Sequence, residues 1–225
     1  MSAGEAGAAR TAAEREEFVR TRTAPEPVPL CPELRLHTAT ALTPLWHATA
    51  DELARWDASP FWAFPWAGGQ ALARHLLDHP ELVRGRAAFD FASGSGLVAI
   101  AAARAGAARV VACDHDPFAS AAIRLNAALA GVAVAVREVD PLDDPLDGFE
   151  LVLAGDVFYE RALAERSLRW FRALARRGAR VLCGDPGRNY SPPRGLRALA
   201  EYDVPTTLEI EERAVLRTRV LEVLP

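Results

Sequence analysis

Two kinds of hydrophobic pattern alternate along the chain after about position 61. Short apolar runs, most of them rich in β-branched residues, predict strands at 87–92, 109–113, 132–136, 150–154 and 179–184. Longer segments with helical character separate these runs and predict helices at 97–105, 117–130 and 160–177. Repeated strand–helix units of this length predict a parallel sheet with helices covering both faces.

The end of the chain breaks this alternation. Residues 205–225 contain two β-branched runs joined by a few polar residues, which predicts a hairpin, and a hairpin is antiparallel. The fold class expected is therefore α/β: a Rossmann-like, doubly wound sheet of seven strands, mostly parallel, with an antiparallel C-terminal hairpin. This domain is expected at 61–225. It starts with a helix whose apolar stripe holds Leu72, Leu76 and Leu77.

The residues before position 61 follow no such pattern. Residues 1–10 are small and polar, which predicts a disordered tail. Thr11 and Glu14 have the spacing of a capping box, which predicts a helix. Further elements are predicted as follows: the helix at 12–22, an extended proline-rich connector at 24–32, a short strand at 33–39 and a short helix at 49–56. We interpret residues 11–60 as an N-terminal cap on the main domain.

Composition excludes several classes of function. The net charge is -4, so no basic field is available to hold nucleic acid. The three cysteines, Cys31, Cys113 and Cys183, are far apart, which favours free thiols in a reducing cytoplasm over a disulfide framework or a zinc site. His75 and His79 have no third ligand near them in sequence, so no metal is expected. No segment resembles a signal peptide or a membrane span, and we expect a cytoplasmic monomer with no membrane partner.

The sequence ASGSG follows the first predicted strand and precedes a helix. Gly94 and Gly96 lack a Cβ, so a ligand can approach their backbone closely, and the helix N-terminus favours an anionic group. Two ligands fit this turn. GSGLVA matches a permissive dinucleotide pattern, with Asp114 about 20 residues further on. The alternative is S-adenosylmethionine, with its carboxylate at the turn and its ribose hydroxyls at Asp114.

Acidic residues near the strand ends favour the second ligand. Asp90 lies inside the first predicted strand, and the following strands are succeeded by Asp114, Asp140, Asp156 and Asp185. A crevice lined by carboxylates attracts the cationic groups of S-adenosylmethionine and repels a pyrophosphate. The antiparallel C-terminal hairpin also differs from the all-parallel sheet of a dinucleotide-binding domain.

Three motifs resemble those of the class I, seven-strand S-adenosylmethionine methyltransferases. DFASGSG resembles their first motif, an acid followed by GxGxG, with Ala92 at the position of the first glycine. CDHDPFASAAIRLNAALAGV resembles the second, with Asp114 as the ribose acid and the usual asparagine at Asn126. DVFYE, which starts at Asp156, matches the DxxY motif of the protein-lysine branch.

A narrower resemblance rests on PFWAFPWAGGQALARHLL, GDVFYE and GDPGRNYSPP. These segments look like those of the methyltransferases that act on lysines of the electron transfer flavoprotein β-subunit, and of their bacterial relatives. The resemblance implies methyl transfer to a lysine of a protein substrate, such as that β-subunit or a ribosomal protein. It also implies that Trp62, Trp66 and Gln70 form a wall over the cofactor.

Residue roles follow from these resemblances and positions. Asp156 and Tyr159 are the expected catalytic residues, because fixed negative and dipolar groups orient an amine and stabilise the cation formed on it. The other expected cofactor contacts are Asp90, Ala92, Gly94, Gly96, Asp114, His115 and Asp140, although Asp140 also fits the start of a turn. Phe158, Asp185 and Arg188 are expected to line the substrate approach, although Asp185 and Arg188 also fit a structural ion pair.

Two other functions remain compatible with the sequence. A small-molecule N-methyltransferase would share the cofactor and differ only at the rim of the site. A nicotinamide-dependent oxidoreductase, or a non-catalytic nucleotide-binding module, would use the same glycine turn for a different ligand.

Overall fold

A computed structural model describes residues 11–48 and 60–225 of the chain. The tail predicted at 1–10 and the helix predicted at 49–56 lie outside these residues. Helix α1, Ala12–Arg22, begins at the predicted capping box. The Thr11 hydroxyl accepts a hydrogen bond from the Glu14 N–H at 3.2 Å, and the Glu14 carboxylate accepts one from the Thr11 N–H at 2.6 Å. This local prediction is confirmed.

The proline-rich segment is a strand and not only a connector. Strand β1, Ala24–Val28, pairs antiparallel with β2, Cys31–Thr38. Pro25 and Pro27 occupy alternate positions, so both missing N–H groups fall on the same side of β1. Proline is tolerated on a strand edge that has no partner to bond. The prediction of a connector at 24–32 is therefore wrong in this respect.

The remaining elements form the central sheet and the helices that pack against it. Their bounds are α2 Ala67–Asp78, β3 Ala87–Phe91, α3 Leu97–Arg104, β4 Arg109–Cys113, α4 Pro117–Ala130, β5 Ala135–Arg137, β6 Leu151–Gly155, α5 Arg161–Arg176, β7 Arg180–Asp185, β8 Leu196–Pro205, α6 Leu208–Glu211 and β9 Val215–Val223. Two short 3₁₀ helices, Pro60–Ala63 and Pro80–Leu82, flank α2.

The seven strands β3 to β9 form one sheet in the order β5-β4-β3-β6-β7-β9-β8. The pairs from β5 to β7 are parallel, and β9 is antiparallel to both β7 and β8. The predicted fold class is confirmed. The strand order reverses between β3 and β6, and ligands of open α/β sheets bind at such a switch point. The loops after β3 and β6 meet there.

Apolar side chains cover both faces of the sheet. On one face α2 and α3 pack through residues such as Leu72 and Leu76. On the other face α5 packs Trp170 and Phe171 against the aromatic residues of β3. Side chains alternate between faces along a strand, so Asp90 points to the face opposite its two phenylalanine neighbours.

Two predicted strands are placed differently in the structure. Strand β5 has three residues because Gly131 ends α4 in the left-handed conformation and 132–134 form a loop. The first arm of the C-terminal hairpin is β8, which lies upstream of the predicted arm, and 208–211 form a short helix. The β8 sequence LRALAEYDVP is rich in helix formers, so only its pairing with β9 makes it a strand. Along the described residues, no helix combines the length and the apolar character that crossing a bilayer requires.

Candidate active site

The glycine loop, residues 92–96, joins β3 to α3 at the switch point. Ala92, Gly94 and Gly96 have positive φ values of 51°, 52° and 83°. At Gly96 an added Cβ would also lie 3.3 Å from the side chain of Ile123. Ala92 has the left-handed backbone conformation although it carries a Cβ. Compared with glycine at this position, alanine destabilises the loop by roughly 1 kcal/mol.

Asp90 is buried beneath this loop. Its Oδ2 accepts hydrogen bonds from the Ser93 hydroxyl and, at 3.1 Å, from the Ala99 N–H at the start of α3. Burial raises the pKa of Asp90 to about 7, although both hydrogen bonds act in the opposite direction. The carboxylate form would therefore be stabilised by a cationic group bound at the loop.

The raised pKa predicts how the stability of the free protein depends on pH. The folded state holds the Asp90 proton more tightly than the unfolded chain, so stability present below about pH 4 is lost as pH rises through about 7. Asp90→Asn should remove this loss. Its free energy of unfolding should exceed that of the wild type by about 1 kcal/mol or more at pH 8, since each pKa unit corresponds to about 1.4 kcal/mol.

Urea unfolding at several pH values would measure this difference. Asp203→Asn, which changes an exposed carboxylate in β8, is the control and should leave the pH dependence as it is. A constant difference between wild type and Asp90→Asn from pH 5 to pH 8 would contradict the prediction.

Asp114 follows β4 and bonds directly to the glycine loop. Its Oδ2 accepts a hydrogen bond from the Gly94 N–H at 2.9 Å, and its Oδ1 accepts one from the Asp116 N–H at 3.0 Å. The exposed His115 ring has its Nδ1 3.7 Å from Asp114. The structure therefore brings Asp114 and Gly94 together, with His115 beside them in solvent.

Asn126 connects the glycine loop to the N-terminal hairpin. Its side chain lies fully buried on α4. The amide Nδ2 donates to the Ser95 carbonyl at 2.8 Å, and Oδ1 accepts from the His37 N–H of β2 at 2.7 Å. The Asn126 amide thus connects three parts of the chain, namely α4, the glycine loop and β2.

Asn126→Ala should destabilise the protein by about 2–4 kcal/mol, because it leaves a backbone donor and a backbone acceptor without their partner. Chemical denaturation would measure this loss. Arg124→Ala, an exposed change on the same helix, should stay within about 0.5 kcal/mol of wild type. Equal stability of the two variants would refute the role given to Asn126.

Trp62, in the 3₁₀ helix before α2, lies next to the glycine loop. Its ring is buried and stacks on Phe118, with centroids 6.4 Å apart and an interplanar angle of 15°. The Trp62 Cα is 3.9 Å from the place where a Cβ on Gly94 would lie. Within the described residues the buried indole N–H of Trp62 has no hydrogen-bond acceptor. This nitrogen is enclosed by protein atoms, and the Trp62 ring packs in the apolar cluster between α1 and α4.

Asp156 follows β6, across the switch point from the glycine loop. It is buried and has a positive φ of 56°. Its Oδ2 accepts a hydrogen bond from the Gly69 N–H in the first turn of α2 at 2.9 Å, and its Oδ1 accepts two from the Arg188 guanidinium at 2.9 and 2.6 Å. Burial raises the pKa of Asp156 to about 6, against the opposing effect of Arg188.

Two glycines of the WAGGQ segment allow this contact. The start of α2 rests directly on the ends of β6 and β7. A Cβ at Gly68 would overlap the carbonyl oxygen of Gly184 and lie 2.6 Å from Asp156 Oδ2. A Cβ at Gly155 would lie 2.8 Å from the Cα of Gly69. This close approach brings the positive end of the α2 dipole to the Asp156 carboxylate.

Arg188 does not form the side-chain ion pair with Asp185 that the sequence allows. Its Nη1 and Nη2 donate to the Glu211 carboxylate at 2.7 and 2.8 Å, while Nε and Nη2 contact Asp156. Asp185 is fully buried, where its carboxylate accepts from the Ser191 hydroxyl and from the Arg188 backbone N–H at 3.0 Å. Asp185 has no accessible surface in this structure, and its expected contact with a substrate stays a prediction.

An aromatic rim, formed by Phe61, Trp66 and Tyr159, borders this charged cluster. Half of the Tyr159 side chain is exposed, and its ring centroid is 6.3 Å from that of Phe61. The Trp66 ring is 6.1 Å from Phe61 and lies 5.7 Å from the Arg188 guanidinium carbon. Phe158, expected beside the substrate, is instead fully buried in the core layer under α5.

Comparison with known proteins identifies the family. The electron transfer flavoprotein beta subunit lysine methyltransferase of Rattus norvegicus is 37% identical over 203 residues, which are 87% of this chain and 78% of that protein. The Homo sapiens protein of the same name is 38% identical over 183 residues, 78% of this chain and 68% of its own length. The chain belongs to this family.

A family model matches part of the chain, and more distant solved structures share its fold. The family model "Ribosomal protein L11 methyltransferase (PrmA)" matches residues 72–155, a range that includes the glycine loop and Asp114 and ends one residue before Asp156. The structure of a putative methyltransferase complexed with SAH aligns with a TM-score of 0.51 at 10% identity, over 70% of this chain and 50% of the other. Magnesium protoporphyrin IX methyltransferase from Synechocystis PCC 6803 with bound SAM aligns with a TM-score of 0.50 at 17% identity, over 70% and 78%.

Two expected cofactor contacts, Gln70 and Asp140, have structural partners in this lysine methyltransferase, and for Asp140 the sequence already allowed a turn. The Gln70 amide is buried and bonds to the Leu30 N–H at 3.0 Å and the Pro65 carbonyl at 2.7 Å, so it connects the hairpin turn to the start of α2. Asp140 starts a turn by accepting from the Leu142 N–H at 2.9 Å, and its other oxygen pairs with an arginine of α5. Across 11–48 and 60–225, no group of three or more His, Cys, Asp or Glu side chains is arranged to hold a metal ion.

Proposed function

We propose that the protein transfers methyl groups from S-adenosylmethionine to the ε-amino group of a lysine in a protein substrate, the electron transfer flavoprotein beta subunit. One observation carries this proposal: in a chain of this family, the buried Asp156 follows β6, which adjoins β3 at the switch point, and an exposed aromatic rim borders its partner Arg188.

The residues around the glycine loop fit S-adenosylmethionine. Asp90 would be stabilised as a carboxylate by an ammonium group but not by a pyrophosphate. Asp114 keeps lone pairs free for ribose hydroxyls, because a carboxylate can accept about four hydrogen bonds. Gly96 presents the N-terminus of α3. S-adenosylmethionine bound there would supply an electrophilic methyl group carried on a sulfonium.

Asp156 and Tyr159 hold the amine in this proposal. A lysine arrives as an ammonium, which donates hydrogen bonds to the Asp156 carboxylate and must lose one proton to water before its nitrogen can act as a nucleophile. The carboxylate then stabilises the positive charge that returns to the nitrogen as the new bond forms. The aromatic rim packs around the alkyl chain and favours a cation over its ring faces.

The protein substrate is favoured by the extent of the matches. Relatives named for the electron transfer flavoprotein align over most of their length, whereas a ribosomal protein L11 methyltransferase of Aeromonas hydrophila aligns over 26% of its own. The match to the L11 family model ends before Asp156, so it covers the glycine loop and Asp114 but not the expected catalytic residues. Methylation of a ribosomal protein or of a small amine is the alternative.

Tritium-labelled S-adenosylmethionine would test this function. The protein is incubated with purified electron transfer flavoprotein, and separately with a lysate of its own host, and the labelled products are hydrolysed to amino acids. We expect methyllysine in the beta subunit. The chain contains no lysine, so methyllysine cannot come from the enzyme itself. Label only in small molecules would refute the protein substrate, and thermal stabilisation by NAD but not by S-adenosylhomocysteine would refute the cofactor.

Cytoplasmic location and a monomeric state remain predictions from the sequence. The three thiols are free and buried, in keeping with the expectation of a reducing compartment. Gel filtration and cell fractionation would test the two predictions separately.

A further inference from the structure

A cluster of three charged side chains, Asp156, Arg188 and Glu211, closes the catalytic end of the sheet. They come from three separate segments: the end of β6, the loop after β7 and the short helix α6. The Glu211 carboxylate accepts two hydrogen bonds from the Arg188 guanidinium, in the bidentate geometry that suits these two groups. The Glu211 side chain is only 6% exposed, and its Oε1 also lies 3.4 Å from the Ala67 N–H of α2.

The cluster carries two negative charges and one positive charge. Arg188 donates two hydrogen bonds to Oδ1 of Asp156, and the Gly69 N–H donates one to Oδ2. A carboxylate offers about four positions for hydrogen bonds, so a substrate amine must share Asp156 with Arg188. How strongly Arg188 holds Asp156 depends on its second partner, Glu211.

We propose that Glu211 is a positioning residue of the methyl-transfer site, which neutralises Arg188 and so leaves the negative charge of Asp156 available to the substrate lysine. This inference rests on the proposed function. Without the Glu211 charge, Arg188 and Asp156 would form a neutral pair, and an incoming ammonium would meet no surplus negative charge. Glu211 would act chiefly through Arg188, which bonds to both carboxylates, and its own negative charge also repels that of Asp156.

The other groups around Asp156 do not replace Glu211. On α2 the Gly69 N–H and the helix N-terminus add positive character. On β7 the Asp185 carboxylate is taken up by Ser191 and by a backbone N–H. Tyr159, three residues further along, has a pKa raised by burial and stays neutral. Glu211 is thus the nearby acid that pairs with the Arg188 side chain and offsets its charge.

Glu211→Gln keeps the shape of the side chain and removes its charge. We expect KM for the electron transfer flavoprotein beta subunit to rise about tenfold, as for loss of a charge that attracts a partner, with a smaller change in kcat. The affinity for S-adenosylhomocysteine should be unchanged. The acid limb of the pH profile of kcat/KM should move to lower pH, because an unbalanced Arg188 stabilises the ionised form of Asp156.

Two variants control for effects of structure alone. Glu211→Asp keeps the charge and should recover most of the wild-type KM. Glu212→Gln changes the exposed neighbouring acid and should behave as wild type in both KM and pH profile. If Glu211→Gln lowers only the thermal stability, and its KM and pH profile match those of Glu212→Gln, Glu211 is merely structural and the inference is wrong.

A titration of the free protein separates this inference from the proposed function. Carboxyl signals of carbon-13-labelled aspartate are followed by NMR, and the Asp156 signal is assigned by its absence from Asp156→Asn. The pKa of Asp156 should be lower in Glu211→Gln than in wild type, and an unchanged pKa would overturn the inference. If wild type methylates no protein while this pKa still falls, the charge network stands and the lysine substrate fails.

Discussion

Gly68→Ala is expected to destabilise the protein by about 3 kcal/mol or more and to abolish methyl transfer in any molecules that still fold. The added methyl group would overlap the carbonyl oxygen of Gly184 and come within 2.6 Å of Asp156 Oδ2. Neither atom can move easily, because one belongs to the backbone of β7 and the other accepts from the Gly69 N–H in a carboxylate whose second oxygen is held by Arg188. The start of α2 must therefore lift from the sheet, which separates the Gly69 N–H from the Asp156 carboxylate.

The neighbouring glycine provides a matched control. A Cβ at Gly69 would meet only the Leu97 side chain, at an ordinary contact distance of 3.9 Å. Gly69→Ala keeps the N–H that Asp156 needs and gains helix propensity, so it should stabilise the protein by up to about 1 kcal/mol. Urea denaturation and a methyl-transfer assay would compare the two variants. Similar losses in both would show that flexibility, and not close backbone contact, explains the glycines.

The contrast between these glycines shows where sequence reasoning ends. The capping box at Thr11 and the bounds of α4 could be predicted because their causes lie within a few residues. The glycines of WAGGQ oppose Gly155 and Gly184, which are about 90 to 115 residues away along the chain. No local pattern indicates which distant backbone an α-helix will touch, so the segment is recognisable only through its family resemblance.

Some residues of the candidate site could likewise be predicted from the sequence, and others could not. Asp90, Gly94 and Asp114 come together because each lies at the end of a predicted strand or in the turn after it, and adjacent parallel strands end at one edge. Glu211 could not be predicted, because 208–211 resemble a strand by composition and form a helix in the structure. Phe158 is buried although the motif suggested a place beside the substrate, because a motif gives the position of a residue and not the direction in which its side chain points.

Asp156→Asn is expected to lower kcat by about 10²- to 10³-fold, the usual effect of removing one fixed electrostatic group from a transfer site. The amide has the size of the carboxylate and tolerates the left-handed backbone at this position, so the fold should be kept. It carries no charge, however. If its NH₂ group faces Arg188, contacts between donors replace two hydrogen bonds, and if it faces the Gly69 N–H, such a contact replaces one.

The variant should still bind the cofactor, because Asp90, Gly94 and Asp114 lie on the other side of the switch point. Calorimetric titration with S-adenosylhomocysteine should therefore give an affinity close to that of wild type, while turnover of the protein substrate is lost. Asp143→Asn is the matched control, since Asp143 also has a positive φ but is exposed and pairs with Arg166 of α5. Near-normal turnover by Asp156→Asn would mean that the lysine is held elsewhere. Weakened cofactor binding would instead make Asp156 part of the cofactor pocket, because a group that only orients the amine contributes nothing to binding before the amine arrives.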